Sequence, residues 1–364
     1  MPKSHIENVD LILNGKAQGD VMGYLMLNGR MDAGAKRPWI NDNGKSFITV
    51  YIGGDPKKAT SYRNVPINAN ATLRRDEWKY LDDAVLRVAE TRLNGVQDLI
   101  DNNLTYNLGN GMGTTVLETH DIGDVGDASL SMDGISRGEN SRPNYEFNYL
   151  PIPIIHFDYE INTRVLTVSR NMGNAIDTTM AERSARKCAE KLESMLFTDT
   201  SYKFGGGTIY SYVNHPKRNT GTFTAWNSSA ATAAGMVADV LSMKQASINA
   251  HYYGPWMLYI PTAYETVIDA DYDATTPGTT IRERIMKIAN IKGIKVIDTL
   301  PADTMLLVCM NTDVVRLVRG MAIQNVQWKS EGDMINNFKV MTIQVPQIRA
   351  DQDGHSGIVH YHAA

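Results

Sequence analysis

Three histidines near the C-terminus, His355, His360 and His362, form the densest histidine group in the sequence. In a strand, His360 and His362 would share one face, where two imidazole rings could bind a metal ion. The alternative is the polar face of a terminal strand, which needs no ligand. The sequence favours this alternative, and we expect no metal site.

Two glycine-rich stretches invite a nucleotide-binding interpretation, but neither has the required spacing. Residues 109–113 lack the G-x-G-x-x-G pattern and lead into a predicted strand, so no helix N-terminus would face a pyrophosphate. Residues 205–207 are not followed by the Lys-Ser or Lys-Thr pair of a phosphate-binding loop. We therefore expect no nucleotide and no other cofactor.

The cysteines and the paired carboxylates offer no convincing catalytic group. Cys188 and Cys309 lie far apart in apolar segments, without a histidine or aspartate placed to activate a thiolate. We interpret them as small buried side chains. The carboxylates at residues 82–83 and 271–273 fall on a predicted helix surface and in a predicted turn, where such groups are usually solvated. The sequence therefore predicts no catalytic residue.

The composition is that of an ordinary globular chain, with 43% hydrophobic and 21% charged residues among 364. The formal net charge of −4 gives no general attraction for nucleic acid, so any DNA contact should be weak and independent of base sequence. No apolar run approaches the ~18 residues of a membrane span. With no signal-like N-terminus and two distant cysteines, we expect assembly in a cytoplasm, away from membranes.

Residues 101–150 are a turn-rich stretch with eight acidic residues, two arginines and no lysine. Alternation at residues 114–119 and several glycines near the middle predict a long two-stranded hairpin. Two arms of about 20 residues would reach roughly 50–65 Å, whereas a compact chain of this length has a radius of gyration of about 21 Å. We expect such a hairpin to lie on another molecule, most naturally a second copy of the chain.

Two amphipathic helices flank this stretch. The first is expected from Thr72, its cap, to about residue 94, where Gly95 would loosen or end it. The second runs from Thr179 to Phe197, with a capping box at its start or Asp177 as an alternative cap. Its outer face is mainly cationic. Its apolar face comprises Ala181, Ala185, Cys188, Ala189, Leu192, Met195 and Leu196.

Beyond residue 225 the sequence alternates between predicted helices and buried strands, which is typical of a sheet covered by helices. Residues 1–70 are irregular and mildly basic around one clear strand, Ser46–Tyr51, and this favours an extended arm. One short apolar strand is expected at residues 150–157. Helices are expected at residues 230–250 and 281–288, and strands at residues 255–261, 294–297, 305–310 and 338–345.

The order of these elements resembles two related groups of shell proteins. The first part resembles encapsulin-type shell proteins, with a Trp78-bearing helix, residues 95–99, a long hairpin, the strand at residues 151–155 and a long helix. The tail resembles the major capsid proteins of tailed double-stranded-DNA bacteriophages, which share the Johnson fold with encapsulins. The likeness covers about residues 72–364. The matching tail motifs are Ile281-Arg282-Glu283-Arg284-Ile285, Gly293-Ile294-Lys295-Val296, Met305-Leu306-Leu307-Val308 and Ile348-Arg349-Ala350-Asp351, with Gly354, Gly357 and Ile358.

The resemblance implies an α+β protein with the phage major-capsid (Johnson) fold. In that fold the helix at residues 179–197 is the spine helix of a peripheral domain. An axial domain meets its symmetry mates at the centres of pentamers and hexamers. The implied divisions are a long N-terminal arm (1–71), a peripheral-domain helix (72–101), an extended loop (102–150), the peripheral domain (151–225), the axial domain (226–339) and a return to the peripheral domain (340–364).

The resemblance also implies a structural protein, not an enzyme. Its function would be self-assembly into an icosahedral shell around packaged double-stranded DNA, as a virion capsid made in the cytoplasm of a host bacterium. Its partners would be further copies of itself, a portal, scaffolding proteins and cement proteins. Two alternatives stay open: an encapsulin shell enclosing a cargo enzyme, and a soluble α/β enzyme. The arm is longer than encapsulins usually carry, which favours the phage capsid.

Charge predicts how the copies would meet. The acidic loop should lie across a neighbour's cationic surface, supplied by its arm or its spine helix. Because the loop has no lysine and arginine stays protonated, we also expect none of the lysine–asparagine cross-links that some capsids of this fold form. The expected contact residues are Glu118, Asp121, Asp124 and Asp127 on the loop and Arg183, Arg186, Lys187 and Lys191 on the spine helix.

Overall fold

A computed structural model shows an α+β protein in which two sheets meet at one long helix. The two sheets are joined by buried aromatic contacts at the end of that helix. The structure describes residues 39–41, 43–51, 62–66, 73–92, 94–109, 111–122, 130, 132, 145–171, 178–199, 201–272, 278–328, 334–350 and 355–363.

The described residues form seven α-helices and sixteen strands. The helices are α1 (Arg75–Arg92), α2 (Asn94–Asp101), α3 (Thr163–Asn171), α4 (Thr179–Phe197), α5 (Ala233–Asn249), α6 (Glu265–Ile268) and α7 (Ile281–Met286). The strands are β1 (Trp39–Ile40), β2 (Ser46–Tyr51), β3 (Tyr62–Pro66), β4 (Thr105–Asn107), β5 (Val116–Ile122), β6 (Tyr145–Pro151), β7 (Ile155–Asn162), β8 (Tyr202–Phe204), β9 (Gly207–Ile209), β10 (Asn219–Phe223), β11 (Trp256–Pro261), β12 (Ile291–Ile297), β13 (Thr304–Cys309), β14 (Val315–Trp328), β15 (Ile335–Ile348) and β16 (Ile358–Ala363).

The first sheet has the order β4-β14-β15-β7 and carries α1 and α4. Its centre is the antiparallel pair β14–β15, two strands of 14 residues each. The ring of Phe338 on β15 stacks on the ring of Tyr159 of β7, with the ring centroids 5.2 Å apart. It also meets the Trp78 ring of α1 edge-on, at a centroid distance of 5.9 Å. The small residues of α4 allow close approach, so that the Cys188 thiol donates to the carbonyl oxygen of Val340 at 3.7 Å. Helix and sheet therefore share one dry core.

The second sheet has the order β10-β16-β13-β11-β12, with α5 packed on it. Strands β11 and β13 are buried over their whole length, as their continuous apolar sequences predict for central strands. Phe197, the last residue of α4, meets Tyr259 of β11 at 5.0 Å. The end of the long helix is thereby anchored in the second sheet.

The hairpin of β5 and β6 forms a separate two-stranded sheet. The strands pair antiparallel in register from Val116–Pro151 to Ile122–Tyr145. Its base is attached to the body, because the Gln347 side-chain amide donates to the Thr119 hydroxyl at 3.3 Å. The expected hairpin is therefore confirmed over these seven residue pairs, and its glycine-rich middle lies outside the described residues.

Strong periodicity located most of the other elements. The long helix has the predicted bounds, and all seven residues of its predicted apolar face are buried. The helix expected at residues 230–250 begins at Ala233, because the Thr232 hydroxyl accepts from the N–H of Gly235 and caps it. The strands expected in the second half are all present, most of them with bounds shifted by a few residues.

Some expectations about local structure are wrong, and two elements were not predicted. The strand expected at residues 150–157 is divided between β6 and β7, because Pro151 and Pro153 cannot donate to a continuous ladder. The first helix ends at Arg92, close to the expected end, but Gly95 lies inside the next helix and does not end the first; the expected cap, Thr72, lies outside the described residues. Helix α4 is capped at Thr178 without a side-chain hydrogen bond, so the predicted capping box does not form. Helix α3 and strand β14 were not predicted at all.

Sheet membership also bears on the expected domain boundaries. The division into peripheral and axial domains stays a prediction. Its expected boundary at 339–340 falls inside β15, and β14 and β15 belong to one sheet, so the change of sheet comes before Val315. The final strand β16 lies in the second sheet, between β10 and β13, and does not return to the first. Residues 39–66, expected as an arm, include a three-stranded sheet, β1-β2-β3.

Candidate interaction surfaces

The outer face of α4 is cationic. Arg183, Arg186, Lys187 and Lys191 are all exposed, as the helical periodicity predicted. Lys187 pairs with Glu190 at 2.8 Å, an exposed contact worth only about 0–1 kcal/mol. The other three cations have no ion-pair partner among the residues that the structure describes. This face therefore has positive charge available for another surface.

The predicted acidic partners lie on or beyond β5. Glu118 is exposed on that strand and stands opposite Tyr149 in register. Asp121 lies three residues further along the same strand, whereas Asp124 and Asp127 lie outside the described residues. In the described part of one subunit, no contact joins the acidic set to the cations of α4. Such a contact would need a second subunit.

Four exposed aromatic side chains near the hairpin were missed by the sequence reasoning. Phe147 and Tyr149 alternate on β6, and Tyr202 and Phe204 alternate on β8; all four are exposed. The short hairpin β8–β9 packs against β6. Gly207 permits this, since a Cβ there would lie 2.0 Å from the carbonyl oxygen of Tyr149. The alternation of aromatic residues in β6 is the signal that could have revealed the exposed side chains of that strand.

A cleft of about 300 Å³ lies behind the hairpin base. It is lined by Thr119 and Tyr149 of the hairpin and by His215, Lys217 and Arg349 of the body, among others. Burial, followed by the charges of Lys217 and Arg218, lowers the pKa of His215 to about 4. His215 is therefore neutral at pH 7 and contributes a polar, uncharged wall. The cleft therefore lies between the hairpin and the body.

Buried carboxylates hold the junction between α2, α4 and the second sheet. The Tyr259 hydroxyl donates to Asp98 at 3.2 Å, and the Lys295 ammonium lies 3.7 Å from the same carboxylate. Burial raises the pKa of Asp98 despite Lys295 and Tyr259, which lower it. Glu193, on α4, is also buried. Sequence reasoning placed no function on Glu193, because a single charged residue beside an apolar stripe has no periodic signal.

The C-terminal histidines lie in and before β16, and one of them is not on a solvated face. His360 is buried, and its Nδ1 accepts from the Arg218 guanidinium at 3.2 Å. Burial, with the charges of Arg218 and His362, lowers the pKa of His360 to about 4. Among the described residues, no three His, Cys, Asp or Glu side chains come together as metal ligands.

The described helices were also compared with the length and hydrophobicity of a membrane span, and none of them meets both requirements.

Comparison with known proteins gives one family match. Residues 68–361 match a family described as a family of unknown function (DUF6260). A search of curated proteins finds no match.

Solved structures are similar over most of the chain. A virus-like particle from Pyrococcus furiosus matches with a TM-score of 0.57 at 16% identity, covering 78% of this chain and 99% of that one. The capsid of Myoviridae phage XM1 matches with a TM-score of 0.54 at 9% identity, covering 69% and 86%. A chain of Mycobacterium phage Bobi matches with a TM-score of 0.51 at 12% identity, covering 71% and 88%.

At these identities the likeness establishes the fold. The expected α+β architecture, the Johnson fold of capsid proteins, is confirmed.

Proposed function

The chain belongs to the DUF6260 family of unknown function, and we propose that it is the major capsid protein of a tailed double-stranded-DNA bacteriophage. In this proposal it assembles into an icosahedral shell of pentamers and hexamers. The shell forms in the cytoplasm of the host bacterium and becomes the capsid of the virion. The function is mechanical. Many weak contacts between identical subunits together stabilise a closed container.

The observation that carries this proposal is the hairpin β5–β6 on a capsid-type fold. It forms a sheet of its own, attached to the body at its base, and exposes Phe147 and Tyr149. Exposed aromatic side chains next to polar ones mark surfaces that contact other proteins. A hairpin attached to its own subunit only at its base can bury its exposed aromatic side chains by lying on another subunit. This supports assembly of several copies over a soluble monomeric enzyme.

Charge supports a specific arrangement of neighbours. We infer that the acidic loop, with Glu118 on its described strand, lies across the cationic face of α4 in the adjacent subunit. Arg183, Arg186 and Lys191 are exposed and unpaired there within the described residues, so they can accept such a loop without losing an existing ion pair. Each exposed pair is worth only about 0–1 kcal/mol, but a shell repeats it in every subunit.

The remaining partners follow from the proposal. A shell filled with DNA requires a portal and, during assembly, scaffolding proteins; cement proteins would add stability from outside. Contact with the packaged DNA should be weak and non-specific, because the subunit has a net charge of −4. The encapsulin alternative has less support, since two of the three similar structures named above come from phages.

Purified particles test the proposal directly. We expect negative-stain microscopy of the expressed protein to show closed shells, and particles from a producing host to contain double-stranded DNA of genome length. Mass spectrometry should find no single cargo enzyme. Shells holding one enzyme and no DNA would support the encapsulin alternative, and a small oligomer that never forms shells would contradict both.

A further inference from the structure

The cleft behind the hairpin base is positively charged. It has a volume of about 300 Å³ and is lined by two cationic side chains, Lys217 and Arg349. Among the described residues that line it there is no aspartate and no glutamate. The whole chain carries a net charge of −4, so this positive charge is a local feature of the cleft. An enclosed surface of one charge attracts groups of the opposite charge.

His215 adds a neutral hydrogen-bond donor to the same cleft. Its side chain is buried, and its Nδ1 accepts from the backbone N–H of Lys217 at 3.3 Å. A neutral imidazole has one acceptor nitrogen and one N–H group, so the proton is on Nε2. This Nε2–H has no acceptor among the residues that the structure describes. Because His215 lines the cleft, the N–H is placed to donate to a ligand there.

The polar wall of the cleft is held in place before any ligand binds. Gln347 is buried, and its side-chain oxygen accepts from the Arg316 guanidinium at 2.6 Å. Its amide donates to the Thr119 hydroxyl at 3.3 Å, which fixes the other end of the side chain. The Tyr210 ring meets the His215 ring edge-on, with the centroids 5.5 Å apart. A preformed site loses less conformational entropy when it binds a ligand.

Arg349 can exchange its present partner for a ligand. Its guanidinium lies 3.7 Å from the carboxylate of Asp313, whose side chain is 73% exposed. An exposed ion pair at this distance is weak, so a carboxylate that enters the cleft competes with it. The planar guanidinium can hold both oxygens of a carboxylate through two parallel hydrogen bonds.

The architecture of the cleft favours a peptide carboxylate over a phosphate group. Phosphate sites are commonly built from backbone N–H groups at a helix N-terminus or in a nest. The described residues around this cleft lie in strands and loops, and none of them begins a helix. A DNA duplex, whose major groove alone is about 12 Å wide, is too large to enter. The rings of Phe147, Tyr149 and Tyr210 also line the cleft and offer contact to apolar side chains.

We propose that this cleft binds a short acidic peptide segment of a different protein. Carboxylates of the segment pair with Arg349 and Lys217 and accept from the Nε2–H of His215, and its apolar side chains contact the aromatic rings. The occupant is a different protein because, in the proposed shell, the acidic loop of the neighbouring subunit lies on α4. That choice of partner rests on the proposed function, whereas the binding chemistry of the cleft does not.

Fluorescence anisotropy of the unassembled subunit tests the binding. The probe is a fluorescein-labelled hexapeptide of three Glu-Leu repeats at pH 7. We expect saturable binding that weakens as salt is added, because the attraction is electrostatic. The same peptide with glutamine in place of glutamate should bind at least roughly tenfold more weakly. Inorganic phosphate should displace the probe less effectively than the unlabelled glutamate peptide does.

Variants of the lining residues locate the site. Lys217→Gln combined with Arg349→Gln should weaken binding of the glutamate peptide by roughly tenfold or more, because both charges are lost. Arg284→Gln combined with Lys287→Gln is the matched control, since it removes one arginine and one lysine at exposed positions on and beside α7. Its affinity should change by less than about twofold. His215→Asn keeps an acceptor oxygen for the Lys217 N–H but loses the Nε2–H, and should weaken binding about threefold.

Three results would overturn the inference: no saturable binding of the glutamate peptide, equal affinity for the glutamate and glutamine peptides, or equal affinity of the double variant and its control. Displacement by inorganic phosphate as effective as by unlabelled peptide would also overturn it, because the cleft would then be a general anion site. Shell formation is measured separately. A subunit that binds the peptide and forms no shells leaves the cleft site intact and contradicts the proposed function. Shells whose subunit does not bind the peptide contradict the cleft site alone.

Discussion

The backbone N–H of Gly95 donates to both carboxylate oxygens of Glu193, at 2.9 and 3.1 Å, across 98 residues of sequence. Gly95 lies in the first turn of α2, where N–H groups have no partner within the helix. The buried carboxylate of Glu193, on α4, accepts this hydrogen bond. Its charged form is also stabilised by the positive, N-terminal end of the α2 dipole. Helix α4 is thereby tied to the start of α2.

This contact predicts a pH dependence of stability. Burial raises the pKa of Glu193 to about 7, although hydrogen bonds from Gly95 and Val96 lower it. A carboxyl group whose pKa is higher in the folded protein binds more protons when folded. Its contribution to the free energy of unfolding therefore falls as the pH rises from about 4.5 to about 7, and is constant above that. Urea unfolding of the unassembled subunit at several pH values measures it.

Glu193→Gln should flatten that part of the pH profile, because the amide does not titrate and still offers one acceptor oxygen. Glu190→Gln, on the outer face of the same helix, is the matched control and should keep the slope. If the free energy of unfolding of Glu193→Gln falls with pH as steeply as that of the unmodified protein, another group titrates in this pH range.

The close approach at Gly95 predicts a second effect on stability. A Cβ at this position would lie 2.3 and 2.7 Å from the Phe197 ring. Gly95→Ala should therefore lower the free energy of unfolding by about 1–3 kcal/mol, the usual cost of overpacking a core. Gly109→Ala is the control, since nothing lies within 4 Å of its Cβ position, and its change should stay within about 0.5 kcal/mol. Equal unfolding midpoints for the two variants would contradict this packing.

The cationic face of α4 predicts how assembly responds to charge. Arg186→Glu combined with Lys187→Glu should hinder assembly or make it more sensitive to salt, because the acidic loop of the neighbour would meet like charge. Light scattering across a salt series measures this. Lys203→Glu combined with Lys287→Glu changes the net charge equally at exposed positions away from α4 and should have a smaller effect. Assembly curves that coincide for both pairs would exclude α4 as the receiving surface.

The composition of the loop predicts a shell without covalent cross-links. Isopeptide formation requires an amine nucleophile, and residues 101–150 contain no lysine. Denaturing electrophoresis of boiled, reduced, mature particles should give one band near 40.4 kDa. A ladder of multimers would mean that a lysine outside the loop reaches a neighbour.

Sequence reasoning succeeded where one periodic pattern dominates a segment, and it failed where tertiary contacts determine the secondary structure. Helix α4 was predictable because its apolar stripe repeats over five turns. Helix α3 was missed because Val165, Val168 and other β-branched residues resemble a strand, and only Leu166 is buried.

Strand β14 shows a second cause of failure. Arg316 and Arg319 interrupt its apolar alternation, and Arg316 is stabilised by contacts that no local pattern contains. Its guanidinium donates to Gln347 at 2.6 Å and lies 4.5 Å from the centre of the Tyr106 ring. Of the proposed contact residues, the cations of α4 could be placed from the helical periodicity of the sequence.

The measurement that tests the central claim most directly is a cryo-electron microscopy reconstruction of particles assembled from this chain. The account predicts a closed icosahedral shell in which the hairpin β5–β6 of each subunit crosses α4 of its neighbour. It would be contradicted by a small discrete oligomer in place of shells, or by a shell in which the hairpin lies on its own subunit.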